Sequence, residues 1–297
     1  MLKITVPASS ANLGAGFDAL GLALTLYNRV WMEEADGCRI ESADDVPIPK
    51  DESNLIYHTA RLLYERCGRP FHGLHIRQEN HIPMARGLGS SSACLVAGLL
   101  GANTLLGSPL GPEDVADLAA ELEGHPDNVA PALLGGLVTA VMDGGRVHTV
   151  SVPVSERIRF AVFIPDFELR TETARAALPG KVSRQDAVYN LSRAALMTAS
   201  LFSGSLQNLR VAVQDRLHQP YRFPMIPGVE PVFYTAYELG AYAVAISGAG
   251  PSVLAILDRD NTAFPSLAED ALARAGLTGW TVRVFDCANK GAEVAFD

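Results

Sequence analysis

At 297 residues the chain is long enough for one large domain or two modest ones, and its 48% apolar and 19% charged content is globular. Its 33 acidic against 24 basic residues, a net charge of −9, argue against a nucleic-acid surface, and no Lys/Arg run contradicts that. Four scattered cysteines (Cys38, Cys67, Cys94, Cys287) form no Cys-x-x-Cys pair and the seven histidines have no zinc spacing, so reduced thiols in a cytoplasmic protein are expected.

The N-terminus, Met1-Leu2-Lys3-Ile4-Thr5-Val6-Pro7, reads as a strand over residues 2–6 rather than a signal peptide. Alternation of Leu20, Leu22, Leu24 and Leu26 with small or polar residues predicts a strand over 20–32. A helix is expected over 52–67, capped at Asp51 and stopped by Gly68, then a strand over 74–78. Helices follow over 92–106 and, with Pro112 in its first turn and Gly124 past its end, over 112–123. The first of these holds Gly98, Gly101, Asn103 and Thr104 and falls short of the ~20 apolar residues that span a bilayer, so no membrane partner is expected. Asp143-Gly144-Gly145 turns one strand (136–142) into another (146–152).

The second half offers a strand at 158–164, a helical stretch at 184–216 and a proline-rich loop from Pro220 to Pro231. A helix at 232–239, strands at 241–247 and 252–258, a helix at 265–275 and a strand at 280–286 complete it. Hairpins occur and regular βαβ alternation does not, which predicts an α+β fold. Pro153 and its polar neighbours place a boundary near 150–157, giving units 1–155 and 156–297.

The most informative stretch is Pro83-Met84-Ala85-Arg86-Gly87-Leu88-Gly89-Ser90-Ser91-Ser92-Ala93, running into the apolar Cys94-Leu95-Val96-Ala97. Small residues at a helix start leave free N–H groups and the positive dipole end facing whatever lies there, which makes an anion site. The serine hydroxyls add groups that can bond phosphate or reach Mg²⁺. A glycine-rich turn capping a buried helix is the plainer alternative. No lysine lies between Lys50 and Lys181, so the loop is not a Walker A motif. The formal dinucleotide match at Gly14-Ala15-Gly16-Phe17-Asp18-Ala19 precedes a strand pattern where a helix is required, and is rejected.

Three other segments concentrate unusual residues. Pro7-Ala8-Ser9-Ser10-Ala11-Asn12-Leu13-Gly14-Ala15-Gly16-Phe17-Asp18 is a long small-residue run ending in an acid, read either as backbone wrapped around a ligand or as a wide self-bonded loop. Glu121-Leu122-Glu123-Gly124-His125-Pro126-Asp127-Asn128 crowds acids and a histidine between two helices, where carboxylates can hold Mg²⁺ and Asn128 can orient a hydroxyl. Ser247-Gly248-Ala249-Gly250-Pro251-Ser252 is a tight glycine turn, by itself a hairpin. Arg175 and Arg222 offer planar forks for a carboxylate or phosphate; singly, each would be a surface charge.

Taken in order, the segments 7–18, 83–93 and 247–252 resemble the motifs of the GHMP kinases, and the flanks 9–18 and 125–136 are most similar to the homoserine-acting family within that superfamily. The resemblance covers the whole chain. It implies a ribosomal protein S5 domain 2-like N-terminal domain, a ferredoxin-like C-terminal domain and an active site between them. It implies Mg·ATP-dependent phosphorylation of the side-chain hydroxyl of L-homoserine, on the route to threonine, and a homodimer.

By residue, the resemblance implies that the loop Pro83–Ala93 wraps the ATP phosphates, with Ser91 facing Mg²⁺ and Asn54 meeting the adenine. Glu123 is the expected Mg²⁺ carboxylate, with Glu121 left open. Asn12, Asp18, His125, Asn128, Thr171, Arg175 and Arg222 match positions around the amino-acid substrate, and Asn128, Asp18, Arg175 and Glu123 are the expected catalytic set. A zwitterion suits this set physically, since Asp18 can pair with an ammonium while Arg175 and Arg222 clamp a carboxylate. Several superfamily members place an aspartate base, with a lysine beside it, where Asn128 stands. Catalysis by positioning and charge stabilisation, without a protein base, is therefore expected. A sugar- or isoprenoid-type kinase and a non-catalytic amino-acid or ATP sensor are the alternatives.

Overall fold

The computed structural model describes residues 1–296. The first sheet begins with β1 (Leu2–Ala11) and β2 (Leu20–Glu34), which pair antiparallel with a bulge after Pro7. The expected loop of small residues is thus strand up to Ala11. Small buried side chains at Ala8, Ser9 and Ser10 let neighbouring backbone approach, and the Ser9 N–H donates to the Leu88 carbonyl. The chain turns only at Asn12, Leu13 and Gly14, all with left-handed φ.

β3 (Gly37–Ser42) is an edge strand that periodicity missed, since its outward positions are the exposed Arg39 and the half-buried Glu41, both charged; it pairs in parallel with β4 (Gly73–Asn80). Between them lies α1 (Leu55–Arg66). Its cap is Asn54 rather than Asp51: the Asn54 side-chain oxygen accepts from the Ile56 and Tyr57 N–H groups.

Helix α2 (Ser90–Leu105) is apolar all round and correspondingly buried, packed on β1, α1, α3 (Pro112–Glu123) and α4 (Pro126–Leu134). The hairpin β5 (Leu137–Asp143) and β6 (Arg146–Val152) joins the sheet through Leu20–Leu22 of β2.

The second sheet contains β7 (Ile158–Pro165), β8 (Ala243–Ile246), β9 (Val253–Asp258) and β10 (Trp280–Phe285). It is wholly antiparallel, in the order β10-β7-β9-β8, so the unit's last strand lies beside its first. That is the split βαβ arrangement of ferredoxin-like folds. Between β7 and β8 come α5 (Thr171–Ala176), α6 (Arg184–Ser203), α7 (Leu209–Ala212), α8 (Gln219–Arg222) and α9 (Val229–Glu238); α10 (Phe264–Arg274) precedes β10. The helical stretch predicted to run to residue 216 stops at Ser203, because Gly204 takes a left-handed φ and ends it. The proline-rich segment is not only loop: it holds α8 and the start of α9.

The division near 153–157 separates the two sheets, but residues 156–297 do not form a segregated unit. Asp286 and Ala288 hydrogen-bond to Thr25 and Ala23 of β2, and β11 (Glu293–Phe296) adds to the edge of β1. β11 is four residues long and mostly exposed, too short for a periodic signal. One apolar cluster accordingly runs from Leu2 and Val96 through Phe160 and Met197 to Phe285. No helix among the described residues is long and apolar enough to cross a membrane.

The sheet positions α4 by a close backbone contact: a Cβ on Gly21 would lie 1.9 Å from the Asp127 carbonyl oxygen. Gly21→Ala is expected to cost about 1–3 kcal/mol by overpacking, read as a lowered urea midpoint, and to reduce activity through displacement of the α4 N-terminus.

Candidate functional site

An open cleft with about 590 Å³ of empty space lies where the two sheets meet. Its first wall is the loop before α2. Gly87 and Gly89 both take left-handed φ, and neither tolerates a side chain. A Cβ on Gly87 would stand 2.3 Å from the Ser247 carbonyl oxygen, and one on Gly89 2.0 Å from Ser9 Oγ. The first helical bond runs from the Ala93 N–H to the Gly89 carbonyl, so the N–H groups of Ser90, Ser91 and Ser92 have no helical partner. All three serines line the cleft.

The rest of the loop divides by role. Ala85, Arg86, Gly87 and Gly89 line the cleft, whereas Pro83, Met84, Leu88 and Ala93 do not. Leu88 and Ala93 are core residues and Met84 is exposed. The Arg86 guanidinium donates to the Pro165, Asp166 and Met84 carbonyls, tying the loop to the end of β7. Asn54 lies outside the cleft. Buried beneath α1, it donates to Pro49 and Gln78 besides accepting its two capping bonds, which leaves its side chain nothing to offer an adenine.

The second wall is the α3–α4 junction. α3 stops at Gly124, with a left-handed φ, and Pro126 starts α4. Glu123 faces the cleft, with its Oε1 accepting from Ser92 Oγ at 2.7 Å. Glu121 points away, paired on the surface with both terminal nitrogens of Arg66. Asn128 Oδ1 accepts from the buried Ser9 hydroxyl at 2.9 Å, which fixes the carboxamide.

His125 Nδ1 lies 2.5 Å from Oδ1 of the buried Asp127. Burial works against a charged imidazole here. The Asp127 hydrogen bond and charge, with Glu123 behind, outweigh it and hold the His125 pKa above its ordinary value.

The remaining walls come from the turn after β1 and from the second sheet's helices. Asn12 bridges them: Nδ2 donates to the Gly248 carbonyl at 2.8 Å, and Oδ1 accepts from the Asp18 N–H at 3.0 Å. Asp18 forms a two-pronged ion pair with Arg175 of α5, at 2.8 and 2.9 Å. Thr171 opens the same helix and lines the cleft.

Arg222, on α8, is the largest fully buried side chain. One terminal nitrogen donates to the Gly248 carbonyl at 2.9 Å, and Nε has no partner. It has no carboxylate within ion-pair distance among the described residues. Burial and the nearby Arg175 charge bring its pKa down to about 10. A buried guanidinium without a counter-ion is costly unless something else supplies the charge.

The cleft therefore brings together every expected substrate residue: Asn12, Asp18, His125, Asn128, Thr171, Arg175 and Arg222. It also gathers groups the sequence reading assigned no role there. Ser9 orients Asn128, and Phe17 lies under both arginines, 5.5 Å from Arg175 and 5.4 Å from Arg222. The buried His218 contacts Arg222. The spacing of His218 and Arg222, four residues apart, was the available signal.

The His125–Asp127 pair has a measurable consequence. A raised histidine pKa contributes stability that is full below about pH 6.5. That contribution fades as pH rises through the folded-state pKa. In Asp127→Asn the burial penalty loses its main opponent, so the His125 titration should move downward when followed by NMR. An unmoved titration would show that Asp127 does not hold the proton there.

The family model "GHMP kinases N terminal domain" matches residues 54–136, and "GHMP kinases C terminal" matches 195–265. Homoserine kinase from Caldicellulosiruptor bescii is 44% identical over 297 residues, covering 99% of this chain and 97% of that protein. Homoserine kinase from Moorella thermoacetica is also 44% identical, covering 99% and 100%. The crystal structure of homoserine kinase from Cytophaga hutchinsonii superposes with a TM-score of 0.86 at 30% identity, over 99% of this chain and 97% of that one. With its motifs, its two family domains and full-length relatives in accord, the chain belongs to the homoserine kinase family of the GHMP kinases.

Proposed function

We infer that this chain transfers the γ-phosphoryl group of ATP to the side-chain hydroxyl of L-homoserine, giving O-phospho-L-homoserine. The carrying observation is the buried, counter-ion-free Arg222, which shares one cleft with Asp18 and the free N–H groups of α2. Such a site asks for a ligand that brings a carboxylate, an ammonium and a neighbouring phosphate.

In this reading the ammonium pairs with Asp18 and the carboxylate with Arg222 and Arg175, so substrate inserts into the existing Asp18–Arg175 pair. Asn128 holds the hydroxyl. Ser9 already occupies its Oδ1, leaving the Nδ2 group to face the ligand. A carboxamide does not take a proton at neutral pH. The hydroxyl oxygen attacks the γ-phosphorus, the bond to the β–γ bridging oxygen breaks, and the hydroxyl proton passes to the transferred phosphate. Positioning and charge stabilisation drive the step.

The oxygen donors at the α2 terminus fit Mg²⁺, which takes one or two carboxylates and completes its shell with phosphates and water. Glu123 and Ser91, which line the cleft, would hold it, and Glu121, committed to Arg66, would not. Bound there, Mg²⁺ would neutralise charge on the β- and γ-phosphates. The reading includes a cytoplasmic homodimer with no nucleic-acid or membrane partner.

A sugar-type acceptor lacks both charges, and an isoprenoid acid such as mevalonate brings a carboxylate for Arg222 but no ammonium for Asp18; an unmet buried polar group costs about 1–3 kcal/mol. The test is ADP release with L-homoserine, L-serine, L-threonine, mevalonate and galactose, with homoserine expected as the preferred acceptor. Turnover of mevalonate but not homoserine would overturn the assignment. Arg175→Ala should raise KM for homoserine about tenfold while leaving KM for ATP within about twofold; equal changes would remove Arg175 from the carboxylate clamp.

A further inference from the structure

We propose that His218 is a positioning residue for acceptor specificity: a neutral hydrogen-bond acceptor that aims Arg222 at the ligand carboxylate without cancelling its charge. The proposal rests on the reading of Arg222 as the carboxylate partner.

His218 is fully buried beside Arg222. Its Nε2 lies 2.8 Å from the Gly14 carbonyl oxygen, an acceptor only, so Nε2 carries the proton. Nδ1 is then the acceptor, 3.0 Å from the Arg222 terminal nitrogen that also donates to Gly248. The ring plane is fixed by Phe17, stacked at 5.1 Å and 19°. A chain of contacts thus runs from the turn after β1, through the imidazole, to a guanidinium on the other side of the cleft.

The ring stays neutral. Burial, with the Arg222 charge, holds its pKa below the ordinary value against the pull of Asp215 and the Gly14 carbonyl. Asp215 lies 3.6 Å from Nε2, and Asp18, already paired with Arg175, adds a weaker pull in the same direction. Asp215 is engaged elsewhere, accepting from Asn190 Nδ2 and from the N–H groups of Leu217, His218 and Gln219. Its hydrogen bonds are spent there, and none reaches Arg222.

The choice of residue type matters for that reason. An acid at 218 would pair with Arg222 and satisfy its charge from within the protein. An apolar residue would leave the same nitrogen with Gly248 as its single acceptor and the guanidinium free to rotate. A neutral acceptor orients the group and leaves its charge for the ligand.

The test compares wild type, His218→Gln and His218→Glu on L-homoserine and on 3-aminopropan-1-ol, which is homoserine without its carboxylate. The readouts are kcat/KM for each acceptor, KM for ATP and the thermal midpoint. Wild type should prefer homoserine by at least about tenfold. Gln, a neutral acceptor, should keep that preference within about threefold. Glu should abolish most of it while KM for ATP stays within about twofold. If the Glu variant does not fold, His218→Met, which removes the acceptor without adding charge, carries the same expectation. Undiminished preference in the Glu or Met variant, or equal loss in Gln and Glu, would overturn the proposal. A wild type with no preference would instead refute the carboxylate role of Arg222, and with it the premise.

Discussion

The site depends on two glycine loops crossing at backbone contact. The Cα of Gly87 packs where any Cβ would meet the Ser247 and Gly250 carbonyls, and Ser247 Oγ lies 2.6 Å from the Gly87 carbonyl and 2.8 Å from Ser10 Oγ. Only a residue without a side chain permits that approach. Because the crossing joins β1, the start of α2 and the β8–β9 turn, it brings a helix N-terminus from one sheet against the helices of the other. Gly87, Gly248 and Ala249 at that contact line the cleft.

Electrostatics then sorts the cleft. At one end, the α2 N-terminus offers donors without an anion, and Glu123 stands beside it with Ser92 already bonded. At the other, Asp18 and Arg175 satisfy each other while Arg222 is left with carbonyl and imidazole partners. An overall charge of −9 cannot attract a nucleotide by itself. Local arrangement does what net charge does not: the free N–H groups of α2 and the unpaired Arg222 supply hydrogen-bond donors and positive charge within an acidic protein.

Much of this was readable from order and residue type. Pro112 and Gly124 marked the start and end of α3, and the serine run marked the start of α2. The residues expected around the substrate do meet in one cleft. A capping asparagine and a ligand-binding one look alike in sequence, and only the fold shows that the Asn54 side chain is engaged in four internal hydrogen bonds. Likewise Glu121 and Glu123 are two residues apart on a helix and so face different directions. Spacing alone did not say which direction held the cleft.

Sequence by itself determined the local chemistry: where helices start, which loops lack side chains, and which acids and arginines the chain supplies. These follow from backbone preference and side-chain type, which act over a few residues. Tertiary structure decided the pairings between residues far apart in the chain. It closed β11 onto β1, and it set Ser9 on Asn128 and His218 on Arg222. It also left Arg222 buried without a carboxylate. Desolvation and unmet charge are properties of a surrounding, and a surrounding exists only once the chain has folded.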